Sequence, residues 1–146
     1  MTPYLLDTNV LLALAWPNHV HHPEAMKWFR ERGAPSFRTC PLTETAFVRI
    51  SCNPRFTAEA VSPSEAIALL RRICALPGHQ FWPDDLSLTE QHPGLTRLAG
   101  HRQVTDAYLL ALAISHEGML ATLDRGVAAV AGSGSAALEV ICSQTR

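Results

Sequence analysis

The sequence predicts an α/β fold in which a mainly parallel central sheet is covered by helices on both faces. Short apolar runs of strand length alternate along the chain with longer segments of helical periodicity. Because parallel strands need a crossover between them, this alternation is typical of a sheet with helices on both sides. The chain has 146 residues and no linker or internal repeat that would divide it. We therefore expect one domain over residues 1–146.

Helix boundaries carry ordinary start and stop residues. Pro23 and Pro41 stand at the first positions of helices, where the missing N–H costs little. Ser62 and Glu65 form a capping box, and Gly33 ends the second helix. These signals predict helices over about 8–16, 23–32, 41–51, from Ser62 to about 76, and 103–117, with a short helix after Arg125.

The predicted strands are short and apolar. They cover residues 3–6, 36–39, 80–82, 119–123 and 138–142. Asp84-Asp85 is most simply a helix start, and it opens an irregular or short helical stretch that reaches Gly100. Gly132-Ser133-Gly134-Ser135 is predicted to be a turn or a flexible loop.

Composition and charge narrow the class of protein. The hydrophobic content of 47% and charged content of 17% exclude a disordered chain. The net charge of -1 gives no overall basic character, although a local patch can still bind RNA. The cysteines, at positions 40, 52, 74 and 142, form no Cys-x-x-Cys pair, so no zinc site is expected. Without a signal peptide or a membrane-length apolar run, we expect a cytoplasmic protein with no membrane contact.

Four acidic residues stand where apolar runs begin or end: Asp7, Glu44, Asp106 and Asp124. Taken singly, each could cap a helix or favour its dipole. Taken together, carboxylates at the ends of strands and helices can converge at one edge of a sheet, where α/β proteins place their active sites. With no Lys or Arg at these positions, the set indicates a divalent metal ion.

Such a set suits the hydrolysis of phosphodiesters. Mg²⁺ prefers oxygen ligands, and a metal-bound water is a better nucleophile near a scissile phosphate. Asn9 and Thr122 are expected to orient the carboxylates by hydrogen bonds. Arg102 and Arg125 flank two of the acids, where they could meet substrate phosphates or pair with the acids.

Four segments of the chain resemble the PIN-domain ribonucleases, and within them the VapC toxins of toxin–antitoxin pairs. They occur in the family's order over nearly the whole chain, which makes the match far more specific than a single Asp-x-Asn. The segments are Leu5-Leu6-Asp7-Thr8-Asn9-Val10-Leu11, Thr43-Glu44-Thr45-Ala46-Phe47-Val48-Arg49, Val104-Thr105-Asp106-Ala107-Tyr108-Leu109 and Leu120-Ala121-Thr122-Leu123-Asp124-Arg125-Gly126.

The resemblance implies a three-layer α/β/α sandwich and an endoribonuclease that depends on Mg²⁺ or Mn²⁺. It carries the roles of metal ligand and catalytic residue to Asp7, Glu44, Asp106 and Asp124. It also implies a cognate VapB-like antitoxin and a homodimer. The last motif departs from the family at Leu123 and Val127, where aromatic residues are frequent, and this difference concerns packing only.

Two other functions remain open from the sequence. A PIN-like module that binds RNA or protein without catalysis would be favoured by an incomplete acidic set. A phosphatase with Asp7 as nucleophile would usually have a second acid where Asn9 stands. The histidines at positions 19, 21 and 22 could bind a metal or contact RNA, although exposed histidines before a helix are usually only solvated. The RNA target is not readable, and residues 17–22 and 84–102 are the candidates for its recognition.

Overall fold

The computed structural model describes residues 1–92, 95, 98 and 100–142. Its centre is a five-stranded sheet in which all the paired strands run parallel, in the order β3-β2-β1-β4-β5. This arrangement confirms the predicted parallel sheet. The strands are β1 (Tyr4–Leu6), β2 (Phe37–Thr39), β3 (His79–Phe81), β4 (Met119–Thr122) and β5 (Leu138–Val140).

The helices pack on both faces of this sheet and so complete a three-layer α/β/α sandwich. They are α1 (Thr8–Ala15), α2 (His22–Trp28), α3 (Pro41–Ser51), α4 (Pro63–Cys74), α5 (Val104–Ser115) and α6 (Val127–Ala131). Helices α1 to α4 cover one face, and α5 and α6 cover the other. Within the described ranges, no helix is both long enough and apolar enough to cross a bilayer.

The two-sided burial follows from the alternation of side chains along each strand. In β1, Tyr4 and Leu6 join the core beneath α1 to α4, whereas Leu5 joins the core beneath α5 and α6. In β4, Ala121 and Leu120 divide between the two cores in the same way. A central strand covered on both faces is largely apolar, which explains why Leu5 and Leu6 stand before Asp7 in β1.

The predicted helix starts are confirmed where their capping residues are clear. Pro41 is the first residue of α3. Ser62 caps α4: its hydroxyl accepts a hydrogen bond from the backbone N–H of Glu65 at 3.2 Å and donates one to the Glu65 carboxylate at 3.0 Å. The first N–H groups of a helix have no partner within it. Ser62 accepts a bond from one of them in α4, and Pro41 has no N–H at the start of α3.

The second predicted helix differs in its last turn. The α-helix ends at Trp28, and Phe29–Gly33 form a π-helical turn, closed by a 2.8 Å bond from Ala34 N to Phe29 O. Trp28 and Phe29 are both buried although they are neighbours. The Trp28 ring packs over Gly33, where an added Cβ would lie 2.6 Å from it. Core packing therefore overrides the α-helical periodicity here.

The stretch that Asp84-Asp85 opens was predicted to be irregular or short helical; it is irregular at these two residues, so the prediction that they start a helix is wrong. Asp84 instead accepts a 3.2 Å hydrogen bond from the backbone N–H of Leu42, in the first turn of α3. Asp85 lies 3.0 Å from His116 Nε2. The two acids therefore fix the loop after β3 to other elements. Residues 93, 94, 96, 97 and 99 of the stretch predicted up to Gly100 lie outside the described residues. Near the C-terminus, the backbone of Gly132–Ala137 forms 3₁₀ turns where a turn or flexible loop was predicted.

Candidate active site

The candidate site lies where the strand order reverses. From β1 the chain moves outward on one side to β2 and β3, then returns to place β4 on the other side of β1. In open parallel sheets, such a reversal leaves a crevice at the carboxyl ends of the two strands. Asp7 directly follows β1, and its backbone N–H donates to the carbonyl of Ala121 in β4 at 2.9 Å. The end of β1 is thereby fixed against the end of β4.

A cleft of about 520 Å³ opens at this point. We call it the acidic cleft, because three of the four predicted acids line it: Asp7, Asp106 and Asp124. Asn9 lies beside them. The rest of the lining is mostly apolar or histidine: Thr8, Leu12, His19, His21, Ile50, Phe56 and Leu123.

Asp7 is a helix cap and a buried carboxylate at once. The residue is only 7% exposed. Oδ1 accepts a 2.7 Å bond from Thr8 N at the start of α1, and Oδ2 accepts a 2.7 Å bond from the Thr122 hydroxyl. Burial raises the pKa of Asp7, and the charge of Asp124 raises it further, whereas the bonds from Thr122 and Thr8 oppose the rise. Asp7 therefore caps α1 and also lines the acidic cleft, so its geometry is compatible with both of the roles predicted for it.

Thr122 and Asn9 hold the end of β4 in place. The Thr122 hydroxyl accepts from Asn9 Nδ2 at 3.2 Å and from the backbone N–H of Asp124 at 3.1 Å, while it donates to Asp7. Asn9 Oδ1 in turn accepts from the backbone N–H of Leu123 at 3.1 Å. One hydroxyl therefore uses its proton and both lone pairs, which fixes the orientation of Asp7 relative to the loop that carries Asp124.

Asp106 and Asp124 add like charges to the same cleft. Asp106 is half-buried in the first turn of α5. Burial raises its pKa to about 6, with further contributions from Asp7 and Asp124. Asp124 is exposed, and its Oδ1 accepts a 2.8 Å bond from Gly126 N. The three carboxylates repel one another, and a cation would relieve this repulsion.

The two arginines predicted near the acids do not neutralise them. Arg102 precedes α5 in a 3₁₀ turn, Arg125 follows Asp124, and both side chains are exposed. In the part of the chain that the structure describes, no salt bridge joins either arginine to an acid of the cleft. Of the two roles predicted for them, pairing with the acids is not seen, and contact with substrate phosphates stays a prediction.

The structure places Glu44 apart from the other three acids. Its Oε2 accepts a 2.6 Å bond from the hydroxyl of Thr39, the last residue of β2. The same hydroxyl lies 2.7 Å from His79 Nε2 and 3.9 Å from Cys74 Sγ. We call these four residues the Thr39 cluster. It lies one strand away from Asp7, because β2 pairs directly with β1.

The sequence analysis did not identify Thr39, Cys74 or His79. Burial raises the pKa of the Cys74 thiol and lowers the pKa of the His79 imidazole, and Glu44 affects both groups. One signal was available for Thr39: it is a polar residue at the carboxyl end of β2, separated by one residue from α3, just as Asp7 lies between the end of β1 and α1. No local signal links Cys74 to His79, because their proximity depends on how α4 packs against β2 and β3.

The three neighbouring histidines divide between two environments. His19 and His21 line the acidic cleft. Burial lowers the pKa of His19, and electrostatic interactions with His21 and His22 lower it further. The ring of His22 instead lies 2.7 Å from the carbonyl oxygen of Ala13, near the end of α1. His19 and His21 are therefore better placed than His22 for the predicted contact with RNA.

Comparisons with known proteins agree with this architecture. The model of the family described as "PIN domain" matches residues 4–133. Ribonuclease VapC39 of Mycobacterium tuberculosis is 46% identical over 135 residues, which cover 92% of this chain and 95% of the relative. Ribonuclease VapC38 of the same organism is 44% identical, over 84% and 86% of the two chains. Ribonuclease VapC29 is 41% identical, over 88% and 90%. The chain therefore belongs to the PIN-domain family, in its VapC group.

Proposed function

We propose that this protein is an endoribonuclease that depends on Mg²⁺ or Mn²⁺ and acts as the toxin of a toxin–antitoxin pair. One observation carries the proposal: Asp7, Asp106 and Asp124 share a cleft at the reversal of strand order, where their charges interact. The names of the relatives, all ribonucleases, give the substrate class. We place the activity in a single domain over residues 1–146 and in the cytoplasm.

The residues present suit a hard divalent cation. The three acids of the acidic cleft, Asp7, Asp106 and Asp124, offer carboxylate oxygens, the type of ligand that Mg²⁺ and Mn²⁺ prefer. Asp7 and Asp106 would be the main ligands. Burial and the charges of neighbouring acids raise the pKa of both, and a bound cation would stabilise their ionised forms. Asp124 and Glu44 would complete the acidic set. When bound, the ion would stabilise charge on the scissile phosphate and lower the pKa of an attacking water.

The other residues of the cleft would position the acids and the RNA. Thr122 and Asn9 would keep the Asp7 carboxylate in one orientation, so that its free lone pairs face the cleft. Arg102 and Arg125 are free to turn toward phosphates of the bound strand, which guanidinium groups bind well. Among the described residues that line the cleft none is Lys, and His19 and His21 would serve as RNA contacts.

The protein partners are part of the proposal. A cognate VapB-like antitoxin would cover the cleft and place a basic side chain near the acids. We also propose a homodimer, as the family resemblance implies. If saturating antitoxin left the rate of RNA cleavage unchanged, the inhibitory role of this partner would be rejected.

The competing function, a PIN-like binding module without catalysis, is not favoured. Such a module would tolerate the loss of acids, whereas all four predicted acids are present and three of them share one cleft. An aspartyl-phosphate phosphatase receives no support either, because the position of its second acid holds Asn9, which binds Leu123 and Thr122.

The decisive experiment compares Asp7→Asn with the wild type on single-stranded RNA in Mg²⁺. We expect the variant to fold and to lose cleavage, since the amide keeps the shape of the side chain but not its charge. Glu117→Gln, an acid at the opposite end of α5 from Asp106, is the matched control and should cleave normally. Cleavage by Asp7→Asn at the wild-type rate would refute the assignment. Mapping the cleaved ends in total cellular RNA would then identify the target.

A further inference from the structure

A second group of metal-ligand side chains lies beside the acidic cleft, around the buried hydroxyl of Thr39. Glu44, Cys74 and His79 each present one ligand atom, and these atoms all lie within 4.8 Å of one another. We propose that the Thr39 cluster binds one Zn²⁺ or a similar borderline-soft divalent ion, at a site distinct from that of the Mg²⁺ or Mn²⁺ ion of the acidic cleft.

The donor set selects the class of ion. A thiolate, an imidazole and a carboxylate are the three side-chain groups that bind Zn²⁺, and three protein ligands leave a fourth position open. Mg²⁺ requires oxygen ligands in octahedral geometry, so sulfur and nitrogen donors discriminate against it. The two neighbouring sites therefore differ in chemistry. The acidic cleft would bind its ion through three carboxylates, whereas the Thr39 cluster offers one oxygen, one nitrogen and one sulfur ligand.

The contacts of Thr39 show that the three donors face one point. Its hydroxyl lies 2.6 Å from Glu44 Oε2, 2.7 Å from His79 Nε2 and 3.9 Å from Cys74 Sγ. Zinc bonds of about 2.0–2.3 Å require tetrahedral ligands to approach within roughly 3.3–3.7 Å of one another. From separations within 4.8 Å, the three side chains must therefore close by at most about 1–1.5 Å, which rotation of their torsions can supply. Thr39 would keep its bond to Glu44 and orient that ligand.

The backbone that carries the donors is fixed. Cys74 is the last residue of α4, His79 is the first residue of β3, and Glu44 lies in the first turn of α3. The turn between Cys74 and His79 passes so close to its neighbour that a Cβ on Gly78 would lie 1.9 Å from the Ala34 carbonyl oxygen. Ligands on such rigid elements need little reorganisation to bind an ion.

Glu44 links the two sites. If it serves the nuclease, an ion in the Thr39 cluster withdraws it from the acidic set, and RNA cleavage falls. This consequence rests on the proposed function, whereas binding itself does not. Zinc would then act as an inhibitor whose effect depends on Cys74 and His79, two residues outside the proposed catalytic set.

The test uses Co²⁺ as a spectroscopic probe on the tag-free, full-length protein. We expect a near-ultraviolet sulfur-to-cobalt charge-transfer band that saturates at one equivalent and is displaced by one equivalent of Zn²⁺, but not by excess Mg²⁺. Cys74→Ser should abolish the band, and His79→Gln should weaken Zn²⁺ binding by at least about tenfold. Cys142→Ser, at an exposed cysteine, and Asp7→Asn, in the acidic cleft, should leave the band unchanged.

The inference is overturned if the folded wild type shows no charge-transfer band, or if the band survives Cys74→Ser. Circular dichroism of each variant would show that a lost band does not reflect unfolding. In the nuclease assay, Zn²⁺ should inhibit the wild type in the presence of Mg²⁺ and should inhibit Cys74→Ser much less. The cobalt band does not require activity. A protein that binds Co²⁺ but does not cleave RNA would refute the proposed function alone, and one that cleaves RNA without the band would refute this inference alone.

Discussion

The hydroxyl of Thr122 donates a 2.7 Å hydrogen bond to Oδ2 of Asp7, across 115 positions of sequence. This bond joins the ends of the two strands between which the sheet reverses its order, and it acts on Asp7, which is more buried than Asp106 or Asp124. It also lowers the pKa of Asp7, against the larger effect of burial. A neutral side chain therefore favours the ionised form of Asp7, against the effect of burial.

Replacing Thr122 with Val tests this relationship. The variant removes the donor to Asp7 and the acceptor of Asn9 and of the Asp124 backbone, so the pKa of Asp7 should rise further. We expect the cleavage rate at neutral pH to fall by about 10- to 100-fold and its pH profile to shift to higher pH. Stability should fall by about 1–3 kcal/mol, because buried polar groups lose a partner.

Thr122→Ser is the matched control, since it keeps the hydroxyl and should retain most of the activity. The informative measurement is the dependence of the cleavage rate on pH, because a purely structural role for Thr122 would lower the rate without moving the profile. An unshifted profile in a folded Thr122→Val protein would contradict the role given to this hydroxyl.

The raised pKa of Asp106 predicts how the stability of the metal-free protein depends on pH. The native state binds this proton more tightly than the unfolded chain does, since the pKa rises from 3.8 to about 6. The contribution of Asp106 is therefore most favourable below pH 3.8 and is lost as the pH rises through about 6. Asp106→Asn should remove this loss and stabilise the metal-free protein near neutral pH by on the order of 1 kcal/mol, after solvent screening.

Urea unfolding in the presence of a chelator, at pH values on either side of 6, would measure the effect. Mg²⁺ should then raise the stability of the wild type at neutral pH more than that of Asp106→Asn, because the ion relieves the same repulsion. Equal stabilisation of both proteins by Mg²⁺ would argue against Asp106 as a ligand.

Glu139 should stabilise the fold through a different network, at the far edge of the sheet. Its carboxylate accepts bonds from Arg32 Nη2 at 2.7 Å, from Tyr4 Oη at 3.1 Å and from Trp28 Nε1. Burial opposes ionisation, but these bonds lower the pKa of Glu139 below its ordinary value of 4.5. Its stabilising effect is thus present above pH 4.5 and is lost as the pH falls through the lower native value.

Glu139→Gln should therefore destabilise the protein at neutral pH by on the order of 1 kcal/mol, after screening of its exposed arginine partner. The difference from the wild type should shrink in acid, where the native carboxylate is protonated. Thermal unfolding at neutral and at acidic pH would test this, and a difference that does not change with pH would show that the charge of Glu139 is unimportant.

The sequence predicted the architecture well because that information is local. Short apolar runs and helical patterns, together with caps such as Ser62 and prolines such as Pro41, depend on neighbours along the chain. The errors have tertiary causes. The π-helical turn at Phe29–Gly33 exists because Trp28 and Phe29 both reach the core, and Asp84 starts no helix because it binds the first turn of α3.

By itself, the sequence determined the parallel α/β class, the four acidic positions and the family resemblance, since each rests on residue type and spacing. Only the tertiary structure decided which side chains meet. Strand order brings Asp7, Asp106 and Asp124 to one cleft and places Glu44 with Thr39, Cys74 and His79, one strand away. The physical reason is that pairing between strands and packing of helices on a sheet depend on long-range burial, which no local pattern along the chain specifies.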